Sequence, residues 1–132
     1  VKLLLDTHLT FWLALEPDQL RAAEAAILAA PETDIAASVV SLWELRVKWS
    51  RRYVSGERKG PAHPSDVLAW LNRNAVPIVD LSAAVTVASL EPPLDHGDPF
   101  DELLLMQAQH SGYRLFTRDA KLALHPAALI AA

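Results

Sequence analysis

Five carboxylates stand out among the 132 residues because of where they fall. Asp6 directly follows the apolar run Leu3, Leu4 and Leu5, and Glu44 lies in the first turns of a helical segment. Asp98 and Asp101 open another helical segment, and Asp119 stands just past a short apolar stretch. Carboxylates gathered in one place repel and raise each other's pKa, so a set of them calls for a cation. Oxygen donors in a chain with no Cys and no closely paired His suit Mg²⁺ or Mn²⁺, which keep several waters and recruit phosphate oxygens. Such an ion activates water and neutralises charge on a phosphodiester, which points to hydrolysis of a phosphate ester. Each acid has a structural reading as well. Asp98, Asp101 and Asp119 sit where helix starts favour acids, and Glu44 resembles any helix-surface Glu. Asp6 resists that reading, because an acid placed straight after three leucines loses solvation with no partner evident nearby.

The elements that must position these acids follow from apolar patterning and from Pro, Gly and capping residues. Residues 1–5 read as a buried strand, 9–15 as a helix broken by Pro17, and 19–29 as an Ala-rich helix capped by Asp18. A weak strand at 34–37 leads into a helix reaching about Trp49, capped by Ser38 or Ser41. Residues 51–64 hold two Gly and two Pro and read as a loop. Helix 67–74, strand 78–80 and a helix from 82 to about 90 follow, then a proline loop over 91–99. Pro99 suits a first helical position, residues 100–110 are helical, and Gly112 stops them. Strand 113–116, a helical turn over 119–124 and a short strand at 128–130 complete the chain. Alternating strands and helices give an α/β fold, a small central parallel sheet of four to five strands between helical layers. In such sheets sites form at the carboxyl ends of strands, the edge where all five acids are expected to converge.

Length and composition agree with one domain over residues 1–132. Ala and Leu supply 22 residues each against 5 Thr and 4 Gly, which disfavours an all-β fold. Without Cys there are no disulfides, thiolate metal sites or cysteine nucleophile, and a reducing cytoplasm is compatible. No apolar run approaches the roughly 18 to 20 residues of a membrane span, and the first five residues are too short for a signal peptide core. The net charge of −4 has the wrong sign for bulk attraction to nucleic acid. Its distribution differs: Arg46, Lys48, Arg51, Arg52, Arg58 and Lys59 against Glu57 alone make residues 45–60 locally +5, leaving −9 elsewhere. That segment follows Glu44 and either holds an RNA backbone or forms a solvated helix end and loop. The histidines lack zinc-like spacing and read as surface or loop residues, with His8 and His96 beside proposed ligands as candidates for substrate contact. Ser41 reads as a cap rather than a nucleophile. Trp12, Trp43, Trp49 and Trp70 read mostly as core, with one of them free to line a partner-binding groove.

Taken in order, LLLDTH at 3–8, SLWEL at 41–45, HGDPFDELLLMQA at 96–108 and LFTRD at 115–119 resemble the motifs of PIN-domain ribonucleases, in particular the VapC toxins of bacterial toxin–antitoxin pairs. The resemblance spans nearly the whole chain. It implies an endoribonuclease dependent on Mg²⁺ or Mn²⁺, commonly a homodimer, inhibited by a small VapB-type antitoxin docking beside the active site. Residues 9–15 and 67–71 are apolar segments available for dimer contact. By position, Asp6 is the first metal ligand, Glu44 the second acid, Asp101 the acid that starts the family's helix, and Asp119 the acid of the TxD motif. Asp98 belongs to the DPFD variant and shares the metal work or holds water, and Thr117 places a hydroxyl near the cluster. Gly97 and Glu102 stand where the subfamily usually carries Arg. Two readings compete: a catalytically weak PIN scaffold that binds RNA or protein, and a haloacid-dehalogenase-like phosphatase. The second wants an Asp two residues after Asp6, where this chain has His8.

Overall fold

The computed structural model describes residues 1–57, 60, 62–95 and 97–131. Of the residues singled out above, Arg58, Lys59 and His96 lie outside the described residues. Strand β1 (Lys2–Leu5) carries the Leu3, Leu4, Leu5 run and is buried on both faces, as a central strand of a parallel sheet must be. Its neighbours are β2 (Asp34–Ser38) and β4 (Arg114–Phe116); β3 (Ile78–Val79) and β5 (Ala128–Leu129) form the edges. All pairs are parallel and the order is β3-β2-β1-β4-β5.

Side chains alternate across the sheet, so Leu4, Ala36, Leu115 and Ala128 pack with α5 (Ala83–Val87) and α6 (Pro99–Ser111). Leu3, Leu5 and Phe116 face the other way, onto α1 (Thr7–Leu15) and α2 (Ala22–Ala29). Ala37 joins that side through Phe11 of α1, Leu45 of α3 (Val39–Ser50) and Val67 and Leu71 of α4 (Pro64–Arg73). The result is a three-layer α/β/α arrangement, as the alternating pattern requires.

The helix starts depart from the sequence reading where a cap lies nearer than periodicity suggests. Helix α1 begins at Thr7 because Asp6 caps it, its Oδ1 accepting from the Leu9 amide at 2.8 Å. Residues 17–19 form a separate 3₁₀ turn, and α2 starts only at Ala22, its Arg21 amide donating to Glu24 at 2.8 Å. Ser38, not Ser41, caps α3, accepting from the Val40 amide at 2.9 Å. Helix α5 stops at Val87, although Leu90 beyond it is buried. Gly112, at φ +75°, ends α6 in the left-handed region that glycine occupies at no steric cost.

Two expectations about surfaces change. The tryptophans are not fully buried: Trp43 is 59% exposed, because it projects from α3 away from the face that Leu45 buries. The apolar segments considered for dimer contact are largely used within the chain, since Leu9, Phe11, Ala14, Val67 and Leu71 are all core.

Candidate active site

Parallel order places the carboxyl ends of β2, β1 and β4 side by side. Asp6 ends β1, Thr117 follows β4, and Glu44 lies in the second turn of the helix that leaves β2. Gln107 of α6 fastens the remaining element, accepting from the Ser38 hydroxyl and donating to the Asp80 carbonyl at 3.3 Å. Its fully buried side chain ties α6, with Asp98 and Asp101 at its start, to the ends of β2 and β3. The five acids converge as expected: Asp6, Glu44, Asp98, Asp101 and Asp119 line one cavity of about 180 Å³, joined by Thr7, His8 and Lys48.

Asp6 and Glu44 are 8% and 6% exposed, and each has both oxygens engaged. Asp6 accepts from Leu9 through Oδ1 and from the Thr117 hydroxyl, at 2.7 Å, through Oδ2. Thr117 Oγ1 in turn accepts from the Asp119 amide at 3.0 Å. Glu44 accepts from the Thr7 hydroxyl at 2.6 Å and from Lys48 Nζ at 2.7 Å. Asp98 caps α6, accepting from the amides of Phe100 and Asp101 at 2.9 and 3.3 Å. Asp119 is exposed and accepts from the Lys121 amide at 2.9 Å. Capping and site-building therefore coexist in Asp6 and Asp98, while Asp119 holds a turn and caps no helix. These bonds fix the orientation of the three acids and leave them on the cavity wall.

The electrostatics are those of crowded acids, five of them facing one Lys48 ammonium. Burial, followed by the charges of Asp98 and Glu44, pushes the Asp101 carboxyl up to about 7. Burial also raises Asp6, outweighing its bonds from Leu9 and Thr117. The donor set fits a hard divalent cation, being all oxygen and over-negative. Among the described residues no three acid or histidine side chains stand close enough together to hold an ion between them as placed.

A stability prediction follows for the metal-free protein. With Asp101 ionising near 7 when folded and near 3.8 when unfolded, the unfolded state sheds this proton first as pH rises. The folded state is therefore penalised progressively between those values. In EDTA the melting temperature is expected to fall as pH rises from 5 to 7.5, and Asp101→Asn is expected to flatten that fall. Differential scanning fluorimetry across pH measures both.

The basic segment is only partly at the site. Lys48 lines the cavity, whereas Arg46, Arg51 and Arg52 do not. Arg46 is turned along α3 to Ser50, and Arg52 donates to the Gly56 carbonyl at 2.8 Å. His8 is exposed at the cavity, its ring centroid 5.4 Å from that of Trp12. Two supporting groups escaped the sequence reading. Thr7 holds Glu44, and the signal for it was its place beside Asp6 at a strand end. Arg118, between Thr117 and Asp119, pairs with the buried Glu24 of α2 and lies over the Trp12 ring, 4.2 Å from its centroid. Nothing local in the sequence announces that pair.

The sequence matches the PIN domain model over residues 3–127. The chain belongs to the PIN domain family. It is 36% identical over 126 residues to Ribonuclease VapC22 of Mycobacterium tuberculosis, covering 92% of this chain and 90% of that protein. The same fold occurs in the crystal structure of VapBC2 from Rickettsia felis bound to a promoter DNA fragment, with a TM-score of 0.65 and 18% identity over 98% of this chain and 97% of that one. FitAcB from Neisseria gonorrhoeae is also similar, with a TM-score of 0.55 and 18% identity over 98% and 96% of the two chains. Within this PIN domain Asp6, Glu44, Asp98, Asp101 and Asp119 line the cavity, and Glu102 of the same stretch as Asp98 and Asp101 does not.

Proposed function

We propose that this PIN domain, over residues 1–132, is a divalent-metal-dependent endoribonuclease and the toxin of a toxin–antitoxin pair. The observation that carries the reading is the convergence of Asp6, Glu44, Asp98, Asp101 and Asp119 on one cavity in which, among the described residues, Lys48 is the one Lys or Arg set against five acids. The likeness to Ribonuclease VapC22 over nearly the full length of both chains supports the reaction and the substrate class. Asp6, Glu44, Asp101 and Asp119 would hold the metal, Mg²⁺ or Mn²⁺, with Asp98 sharing that work or holding water.

Bound there, the ion would polarise the phosphodiester and make water a competent nucleophile. The chain's own groups set the geometry. Thr117 fixes Asp6 and, through its oxygen, the backbone at Asp119. Thr7 fixes Glu44. One water is consumed: its oxygen joins phosphorus, one ester P–O bond breaks, and the departing oxygen takes a proton. Lys48, which lines the cavity, holds the RNA backbone together with Arg46, Arg51, Arg52, Arg58 and Lys59. A VapB-type antitoxin is the inhibitory partner and the working form is a homodimer in the cytoplasm. Among the described residues no helix is long and apolar enough to cross a membrane.

The purified protein is expected to cut single-stranded RNA with Mg²⁺ or Mn²⁺ and to lose that activity in EDTA, as read on denaturing gels. Cleavage that persists in EDTA contradicts the metal reading. Metal-dependent binding of RNA without cleavage favours a binding scaffold.

A further inference from the structure

Glu44 has no free oxygen in this structure. Thr7 donates to Oε1 at 2.6 Å and the Lys48 ammonium to Oε2 at 2.7 Å. The two sites differ in permanence. Thr7 is buried in the layer between β1 and α3, whereas the Lys48 side chain is 39% exposed on a flexible stem at the cavity wall. Lys48 follows Glu44 by one helical turn, the spacing at which helical side chains meet. The same cavity holds four further carboxylates, and Lys48 is the one Lys or Arg among the described residues that line it.

We infer that Lys48 is a built-in counter-cation that occupies Glu44 in the metal-free protein and moves to a substrate phosphate when a divalent cation takes its place. The inference rests on the metal-dependent nuclease reading and deepens it. A cation arriving at this cavity meets Glu44 already paired, and repulsion between the ion and the ammonium at the same oxygen drives Lys48 off as the ion takes Oε2. The displaced ammonium keeps three rotatable donors and a four-carbon reach, so it remains at the mouth of the site, where an RNA phosphate offers the nearest anionic oxygens. One residue thereby limits metal affinity in the absence of RNA and adds to RNA affinity in the presence of metal. An arginine, with a planar fork suited to two-point pairing, would leave Glu44 less readily.

The test compares the full chain with Lys48→Met, which keeps the apolar stem and removes the charge. Isothermal titration with Mn²⁺ alone, without RNA, is expected to show about fivefold tighter binding in Lys48→Met, on the scale of a partly exposed ion pair. Combining it with Glu44→Gln separates competition for that carboxylate from a general charge effect. The tightening is expected to vanish in the Glu44→Gln background. At saturating Mn²⁺, Lys48→Met is expected to raise the KM for RNA several-fold. Unchanged or weaker Mn²⁺ binding in Lys48→Met, equal tightening with and without Glu44, or an unchanged KM overturns the inference while the nuclease reading stands. Failure of the unaltered protein to bind Mn²⁺ overturns both.

Discussion

Asp6→Asn is expected to lower RNA cleavage by roughly 100-fold or more, since charge supplied through a bound metal is worth several kcal/mol of transition-state stabilisation and each 1.36 kcal/mol is tenfold in rate. The substitution is close to isosteric. Its carbonyl oxygen can keep the helix cap from Leu9, and the Thr117 hydroxyl can turn to accept from the new amide. The change also removes a carboxylate that burial holds above its ordinary range. The melting temperature in EDTA should therefore hold or rise while activity collapses. A variant that loses both would show Asp6 to be chiefly structural. The discriminating pair of measurements is a cleavage rate at saturating Mn²⁺ and a thermal melt of the same preparation.

Arg118→Ala is expected to have the largest effect on stability. Glu24 is 2% exposed and takes two bonds from the Arg118 guanidinium, one of them from Nε at 2.8 Å. The Nη2 that makes the second of these bonds also donates to the Gln19 carbonyl at 2.9 Å. Removing one partner of a buried pair strands the other charge, which costs about 3 kcal/mol at the lower end of measured cases. For a chain of this size that corresponds to a fall in melting temperature of roughly 10 °C. Arg118 holds Glu24 below its ordinary carboxylate range. The stability the pair contributes is thus present at neutral pH and is lost in acid, as Glu24 protonates in the folded state. Arg118→Ala should flatten that acid loss, and Glu24→Ala combined with Arg118→Ala should cost less than the sum of the two single changes. Because Arg118 joins Thr117 to Asp119, cleavage should also fall in Arg118→Ala. An unchanged melting temperature would show that the pair contributes nothing net.

The sequence was most informative where one residue serves both fold and site. Asp6 was legible because an acid after Leu3, Leu4 and Leu5 must lie at a strand end, and the α/β pattern then assigned that end to the site edge. Asp98, Asp101 and Asp119 were ambiguous between caps and ligands. In the structure Asp98 caps α6 and still lines the cavity, so for it the two readings are not exclusive, whereas Asp119 lines the cavity and caps no helix. Local signals failed where distant residues decide. The pairing of Arg118 with Glu24 joins positions 94 apart in the chain, and no periodicity encodes it. Charge counts ignore direction, so the basic run by itself leaves RNA contact and a solvated helix end both open. On the structure Lys48 shares a helix face with Glu44, while Arg46 and Arg52 are bound to their own local backbone or side chains away from the cavity. Spacing reads the four tryptophans mostly as core and leaves one free for a surface groove, and Trp43, one position off the buried face, is exposed.

The central claim is that these carboxylates hold a divalent cation in one place. Crystals of the protein grown or soaked with Mn²⁺ and measured for anomalous scattering test it directly. The strongest anomalous peak is expected in the cavity between Asp6, Glu44, Asp101 and Asp119, and it is expected to disappear in Asp6→Asn. A strongest peak elsewhere on the chain, or no peak in a cavity accessible to solvent, would contradict the metal site and the nuclease mechanism built on it.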